Sequence, residues 1–353
     1  MQTLQLLTIL LTTLYATAGF LEAYEDSSSN ILAQIKKYKE LADNTNLRSN
    51  SWVAAYNPDF DYSESRLKKL TNLQLNAMEY LSLSASASQT SRLLQNAQNA
   101  NPLPENFTAQ AKWSNCPSIT TIQDQSGCGS CWAVASATAI SDRICIASAN
   151  NQNQTVVSYE DLVGCCATCG YGCQGGSVVM AYNYWTTIGL VSGGGYNATN
   201  VCKPYSFPPC SNPAYYAVCS RINFVTPTCK ATCADGSAVG SRRIRGKRLY
   251  PVAANEQAIM TELFNNGPVT AAMLVYQDFF NYRTGVYKQA TGGLAGAHAI
   301  KIFGYGVENG VKYWLVANSW GSGWGINGTF KILRGSNHMQ IESYVVAGEA
   351  YAS

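Results

Sequence analysis

Apolar side chains recur along this chain in three different rhythms. Residues 4 to 14, Leu-Gln-Leu-Leu-Thr-Ile-Leu-Leu-Thr-Thr-Leu, are almost unbroken in their apolar character and lead to Ala16-Thr17-Ala18. A short apolar run closed by a small-x-small step is the pattern of a cleavable secretory signal peptide, here residues 1–18. Ile31, Leu32, Ile35, Tyr38 and Leu41 then follow at helical spacing, and Leu67, Leu70 and Met78 predict a second, short helix. Between 82 and 102 the large apolar side chains nearly vanish in favour of Ser, Ala, Asn and Gln, the composition of a linker open to proteolysis.

From Leu103 onward the pattern divides again. Ser130 to Ala147 reads as a helix in which Trp132, Val134, Ala135, Ile140, Ile144 and Ile146 leave little polar surface, so it should be central and buried. Later, Ala299-Ile-Lys-Ile-Phe, Lys312-Tyr-Trp-Leu-Val-Ala and Thr329-Phe-Lys-Ile-Leu read as strands separated by Gly and Asn turns. Those runs predict an antiparallel sheet or barrel.

Composition narrows the class. With 353 residues and 46% hydrophobic content, the chain can bury a core large enough for two lobes and an accessory segment. Charged residues are 13% and the net charge is +3, which argues for neither nucleic acid nor an acidic ligand. The basic run Arg242-Arg-Ile-Arg-Gly-Lys-Arg248 reads as a solvated loop. No stretch after the leader is long and apolar enough to span a bilayer.

All 13 cysteines lie between Cys116 and Cys233, as expected of disulfides formed during export to an oxidising compartment. An odd count leaves one thiol that is reactive, intermolecular or buried. Zinc is the rival reading of Cys128-x-x-Cys131 and Cys166-x-x-Cys169-x-x-x-Cys173, but two histidines in an exported chain give it little support, and no metal or cofactor is expected. Acceptor sequons at Asn106, Asn153, Asn197 and Asn327 fit export as glycosylation candidates. A cysteine-free helical segment, a cleavable linker and a cysteine-rich body together predict that residues 19–102 are a pro-segment removed on maturation. As an independent domain, about 60 residues with so few apolar positions would make a marginal core.

Residues 123 to 132, Gln-Asp-Gln-Ser-Gly-Cys-Gly-Ser-Cys-Trp, run into the buried helix. A thiol at a helix start feels the partial positive charge of unpaired amides, which favours the thiolate. Gly127 and Gly129 let that loop bring backbone donors close to a substrate carbonyl, and Gln125 can add a side-chain N–H for an oxyanion beside the amide of Cys131. A cysteine nucleophile needs a base, and the chain has only His298 and His338. His298, in Gly296-Ala-His-Ala-Ile, begins a strand, and a hairpin would set it beside Asn318-Ser-Trp320. His338, in Gly335-Ser-Asn-His-Met, lacks such a setting and reads as an ordinary surface or core histidine.

The motif around Cys131 resembles the nucleophile motif of the papain family of cysteine proteases. That resemblance implies a thiolate–imidazolium pair between Cys131 and His298, with Asn318 holding the imidazole and Trp320 shielding it. His298 lies farther from Cys131 than the roughly 130 to 150 residues usual in papain-like enzymes. The cysteine-rich stretch from Cys202 to Cys233 accounts for the excess and narrows the resemblance to the cathepsin B subgroup, marked by an inserted occluding loop. It extends over the whole chain after about Leu103, in Ser141-Asp-Arg-Ile-Cys-Ile, Cys165-Cys166, Cys173-Gln-Gly-Gly176, Gly189-Leu-Val-Ser-Gly-Gly, Lys203-Pro-Tyr-Ser, Gly304-Tyr-Gly-Val-Glu-Asn-Gly and Tyr313-Trp-Leu-Val-Ala-Asn-Ser-Trp320.

By the same resemblance the disulfides are Cys116–Cys145, Cys128–Cys173, Cys165–Cys229, Cys166–Cys169, Cys202–Cys233 and Cys210–Cys219, with Cys131 left over. Gly175 and Gly176 line the cleft, where missing side chains let a substrate strand pair with the backbone. Trp52-Val-Ala54 resembles part of the short cathepsin B propeptide, which lies through that cleft. The implied fold is the α+β papain-like arrangement of two lobes. A helical left lobe takes in about 113–249 and a β-barrel-like right lobe about 250–353 plus 103–112, within a mature unit of 103–353. Implied partners are peptide and protein substrates, the chain's own pro-segment as inhibitor and cystatin-type inhibitors. The implied location is the secretory pathway, in the lysosome or outside the cell.

Two departures bear on specificity. Cathepsin B carries paired histidines that hold a substrate's terminal carboxylate where this chain has Ser211 and Asn212, so the expectation is mainly endopeptidase action, with peptidyl-dipeptidase activity as the alternative. The acidic residue of the cathepsin B S2 pocket aligns with Tyr344, which favours apolar or aromatic P2 side chains. Ser126-Gly127 and Met339 are smaller departures, not expected to abolish activity. A catalytically silent peptide-binding relative is the rival of a different class; such relatives usually lack the nucleophile or the base, and Gln125, Cys131, His298 and Asn318 are all present here.

Overall fold

The computed structural model describes residues 32–75, 102–148, 153–210, 219 and 222–352. The leader at 1–18, Ile31, Met78, nearly all of the linker, and Ser211 and Asn212 lie outside the described residues.

A helix at 32–48 buries Tyr38, Ala42 and Thr45 along one face, as the helical spacing of its apolar residues dictates. Strand β1 (Trp52–Ala54) follows, then a short helix, Glu64–Leu70, that stops at Thr71. Strand β2 (Phe107–Thr108) opens the body. The helix Cys131–Ala147 is buried from Cys131 through Cys145, so it has no solvent face, and all its side chains are chosen for packing. Two further helices, Tyr159–Cys165 and Val178–Thr187, lean on it. A small parallel pair, β3 (Gly193–Tyr196) with β4 (Lys203–Tyr205), completes this half.

The second half holds β5 (Gly246–Pro251), the helix Glu256–Asn266, and then β6 (Val269–Tyr276), β7 (Tyr282–Tyr287), β8 (Leu294–Glu308), β9 (Val311–Ala317), β10 (Thr329–Leu333) and β11 (Val345–Ala350). They join in the order β1-β7-β10-β9-β8-β6-β11-β5, with β2 added on β8. Neighbours are antiparallel except β10 and β7, which run parallel. The strand expected at Ala299–Phe303 is thus the middle of a much longer one, because β8 pairs with β6 over Leu294–Ile302 and with β9 over Lys301–Glu308.

Two apolar cores result. One gathers Trp132, Ile140, Tyr159, Leu162, Tyr182 and Trp185 around the Cys131–Ala147 helix. The other gathers Phe279, Tyr287, Ile302, Trp314, Trp324 and Phe330 on the sheet, and it also takes in Tyr38, Trp52, Phe60, Tyr62, Leu67 and Leu70. The described residues of the N-terminal segment therefore share the core of the sheet. Each large side chain so buried contributes about 1.5–3 kcal/mol. A buried ion pair, Lys301 Nζ to Asp142 Oδ2 at 2.8 Å, ties β8 to the Cys131–Ala147 helix and fixes how the two halves meet.

Six disulfides join Cys116 to Cys145, Cys128 to Cys173, Cys165 to Cys229, Cys166 to Cys169, Cys202 to Cys233 and Cys210 to Cys219, and the free cysteine is Cys131. The basic run is solvated, as expected, with Arg242, Arg245, Lys247 and Arg248 exposed, but its end is strand β5 and not a loop. Arg242 pairs with Asp235, Arg243 with the buried Asp161, and Lys247 and Arg248 with Glu349.

Candidate active site

Cys131 is the first residue of its helix, fully buried, with Ser130 at the N-cap position. Ser130 does not cap with its side chain; its Oγ lies 2.9 Å from Tyr205 Oη, and that hydroxyl donates to the Gln125 carbonyl at 2.9 Å. First-turn amides are therefore left to face the sulfur, and the backbone N–H groups of Ala299, Trp132 and Cys131 all act to stabilise the thiolate. Burial outweighs them and pushes the thiol up to about 11.

His298 is fully buried on β8, immediately before Ala299, whose backbone amide hydrogen-bonds to the Cys131 sulfur, so the strand carries the imidazole to the neighbourhood of the helix start. Its Nε2 lies 2.8 Å from Asn318 Oδ1. That oxygen also accepts the Ser319 amide at 2.8 Å, which identifies it as the acceptor end of the carboxamide. Nε2 must then carry the proton, which leaves Nδ1 as the ring's basic nitrogen. Burial lowers the imidazole to about 4, against the opposing pull of the Asn318 side chain and of the Leu70 backbone. Trp320, itself fully buried, covers the imidazole with ring centroids 5.0 Å apart. His338 lies elsewhere and accepts the Gln289 amide at 3.0 Å.

Gln125 is fully buried, and its carboxamide is fixed at both ends. Oε1 accepts the Ser319 hydroxyl at 2.8 Å while Nε2 donates to the Cys128 carbonyl at 3.0 Å, leaving one N–H of the amide to spare. The Gln125 amide donates to the Ser319 carbonyl at 2.8 Å, and Asp124 bridges to Trp320, so the loop before Cys131 is stitched to the segment that follows Asn318. At Gly129 any β-carbon would stand 2.6 Å from the Cys173 carbonyl, so only glycine allows this close approach.

The cleft is covered by the chain's own residues 69–74. Asn72 Nδ2 donates to the Gln174 carbonyl at 2.9 Å, and the Gln74 amide to that of Gly176 at 3.2 Å. On the opposite wall the Leu73 amide donates to Ala297 and the Ala297 amide to Thr71, both at 3.0 Å. Gly175 has φ +103, and a β-carbon there would lie 2.4 Å from the Asn72 carbonyl. Leu73 is buried in the helical core cluster together with Ala272, Ala299 and Tyr344. Trp52–Ala54 lies outside the cleft, paired with β7 and with Trp52 Nε1 donating to the Lys288 carbonyl at 2.8 Å.

Sequence reasoning did not identify Ser319, Tyr205 or the covering strand. Ser319 sits inside the triplet that supplied Asn318 and Trp320, so a signal was present. Tyr205 and residues 69–74 carry none, since their part depends on contacts made only in the fold. A thiol, an imidazole of fixed tautomer and a fixed amide donor can together attack a carbonyl and stabilise the oxyanion that forms. Among the described residues no cluster of side chains could hold a metal ion, and no helix is long and apolar enough to cross a membrane.

Residues 103–349 match the model of the papain family cysteine protease. The chain is 42% identical over 320 residues to "Cathepsin B-like cysteine proteinase 3" of Caenorhabditis elegans, covering 88% of this chain and 82% of that protein. It is 45% identical over 256 residues to "Cathepsin B-like cysteine proteinase 5" of the same organism, covering 70% and 74%. Among solved structures it resembles procathepsin B S9 from Trypanosoma congolense, with TM-score 0.71, 33% identity and coverage of 90% of this chain and 97% of that one. Procathepsin L 3 of Tenebrio molitor larval midgut, at 19% identity and TM-score 0.60 over 91% of this chain and 89% of that one, shares the fold.

Proposed function

The chain belongs to the papain family of cysteine proteases, and from that premise we propose that it is made as a zymogen whose mature body cuts peptide bonds with Cys131 as nucleophile and His298 as acid and base. It is a cysteine-type peptidase of the cathepsin B-like kind. The observation that carries the reading is the placement of the Cys131 helix start, the His298–Asn318 pair and Gln125 beneath the chain's own segment at 69–74. Covered in this way, the pair rests as neutral thiol and imidazole, since burial pushes Cys131 up and His298 down. Removing the cover rehydrates the site and allows the thiolate–imidazolium pair.

In the reaction the Cys131 sulfur bonds to the scissile carbonyl carbon while Gln125 Nε2 and the Cys131 amide receive the oxyanion. The C–N bond breaks as His298 gives its proton to the leaving amine. Water, deprotonated by the same imidazole, then cleaves the thioester and returns the thiol. Asn318 holds the ring, and Trp320 keeps water from that hydrogen bond.

Residues 19–102 act as the inhibitor, and 103–353 form the mature unit in two lobes. Leu73, packed beside Tyr344 and Ala272, supports an apolar or aromatic P2 preference. Ser211 and Asn212, uncharged in the loop closed by Cys210–Cys219, favour endopeptidase action. Export through the secretory pathway to lysosome or exterior, Asn106, Asn153, Asn197 and Asn327 as candidate glycosylation sites, and inhibition by cystatin-type proteins complete the reading.

The test compares an internally quenched endopeptide with a free-carboxylate peptide, using matured enzyme and its Cys131→Ala variant. We expect the blocked peptide to be cut at least as well and the variant to be inert. Preferential dipeptide release would replace the endopeptidase reading, and cleavage that survives Cys131→Ala would remove the mechanism.

A further inference from the structure

Among the described residues, the other buried cations have partners: Arg143 holds Glu262, Lys203 holds Asp161 together with the half-buried Arg243, Lys301 faces Asp142, and Arg334 reaches Glu256. Arg66 departs from this pattern. It is 5% exposed, and its Nε, Nη1 and Nη2 are all buried with no hydrogen-bond partner. What it has is the face of Phe60, whose centroid lies 5.0 Å from the guanidinium carbon. Phe60 in turn packs against Trp320 at 5.9 Å between centroids, so the cation is sealed into the aromatic surface by which the pro-segment docks.

A guanidinium cannot shed its proton to escape burial, as a lysine can. Stripping water from such an ion and offering it no acceptor is costly, and a ring face returns only part of the cost. Neighbouring contacts are favourable: Leu67 and Leu70 are buried in the sheet core, and Leu73, Asn72 and Gln74 pair along the cleft. They hold Arg66 in place against its own hydration.

We propose that Arg66 is a release element built into the inhibitory contact, which keeps docking weaker than the apolar interface alone would make it, so that the segment can leave when maturation begins. This rests on the pro-segment being the inhibitor. An apolar side chain of similar length should therefore tighten docking, a direction opposite to that expected from deleting a useful contact.

The experiment uses the full-length precursor at neutral pH and follows alkylation of Cys131 by iodoacetamide, a readout that requires the cleft to open but not to catalyse. Arg66→Met should slow alkylation about tenfold or more, whereas Arg66→Lys, which keeps the charge, should stay within a few-fold of wild type. In a Cys131→Ala background, the amides of Leu73 and Ala297 should exchange more slowly in Arg66→Met. Once the segment is removed, the Arg66→Met and wild-type enzymes should have the same kcat/KM. Alkylation of Arg66→Met at the wild-type rate or faster overturns the proposal while leaving the inhibitor reading intact. A wild-type precursor whose thiol reacts as fast as that of the matured enzyme overturns both.

Discussion

Among the described residues four helices have serine at the N-cap position, Ser63, Ser130, Ser158 and Ser177, and only the last two cap with the side chain. Ser158 and Ser177 turn their hydroxyls inward and accept the amides of Asp161 at 3.0 Å and Met180 at 3.3 Å. Ser130 gives its hydroxyl to Tyr205 instead and forgoes a cap worth about 1 kcal/mol. The difference lies in what stands next. Where Tyr159 or Val178 follows, the free amides are closed off for stability; where Cys131 follows, they are left to the sulfur, and Ser63, uncapped ahead of Glu64, shows that it is the Tyr205 contact and not the missing cap alone that marks the Cys131 helix. A helix start can serve the fold or the chemistry, and Tyr205 decides which at this one.

The largest effect that would break this comparison concerns charge development rather than the cap. Gln125→Ala, which removes a donor fixed by Ser319 and Cys128, should lower kcat of the matured enzyme by about 10²–10³ with little change in KM. Steady-state kinetics would show it, and a loss confined to KM would mean that Gln125 binds substrate without meeting the oxyanion. Next comes the ionisation of Cys131. With the covered thiol up at about 11 and the covered imidazole down at about 4, the precursor should alkylate slowly at every pH between those limits. The sign follows from burial, which favours the neutral form of each group, so thiolate appears only as pH nears the raised value. Uncovering the pair should give a rate that rises already in mildly acidic solution. Equal profiles before and after processing would mean the helix start alone sets the thiolate.

A smaller effect should follow from Tyr205→Phe. Without the hydroxyl, Ser130 is free to cap its own helix, and the sulfur loses a share of the amides. The alkylation midpoint of the matured enzyme should rise by about half a unit to one unit, with kcat/KM reduced several-fold. A change in melting temperature with an unmoved midpoint would assign Tyr205 to packing only.

Much of this arrangement could be read along the chain, for a physical reason. The helix Cys131–Ala147 carries few polar side chains, and burial accounts for that: even Asp142 and Arg143 are buried and ion-paired. Cys131, Gln125, His298 and Asn318 stand in short motifs whose residue types chemistry restricts. The patterning marked only Ala299–Phe303 of β8, whose full length is set by its pairing with β6 and β9. What could not be read is where a residue acts through a distant partner: Tyr205 through Ser130, Ser319 through Gln125, and Thr71 to Gln74 through their backbone. A backbone contact leaves no mark on side-chain choice, so Trp52-Val-Ala54 drew the eye to the cleft although Leu73 lies in it.

The smallest expected effect sharpens the comparison most. Ser158→Ala removes a cap of the ordinary kind, and it also frees the Lys203 carbonyl, which the same hydroxyl donates to at 2.7 Å. The expected loss is about 1 kcal/mol, or a melting temperature lower by about 2–4 °C in a body of this size, measured on the matured enzyme by calorimetry. Activity should not change, because Ser158 touches neither the Cys131 helix start nor the cleft. Its effect is confined to the Tyr159–Cys165 helix and to Lys203, whose ion pair with Asp161 at 2.7 Å remains to hold the local structure. If Ser158→Ala instead lowered kcat while Tyr205→Phe did not, the division between a structural and a chemical helix start would be drawn in the wrong place, and the sulfur's amides would owe nothing to the uncapped serine.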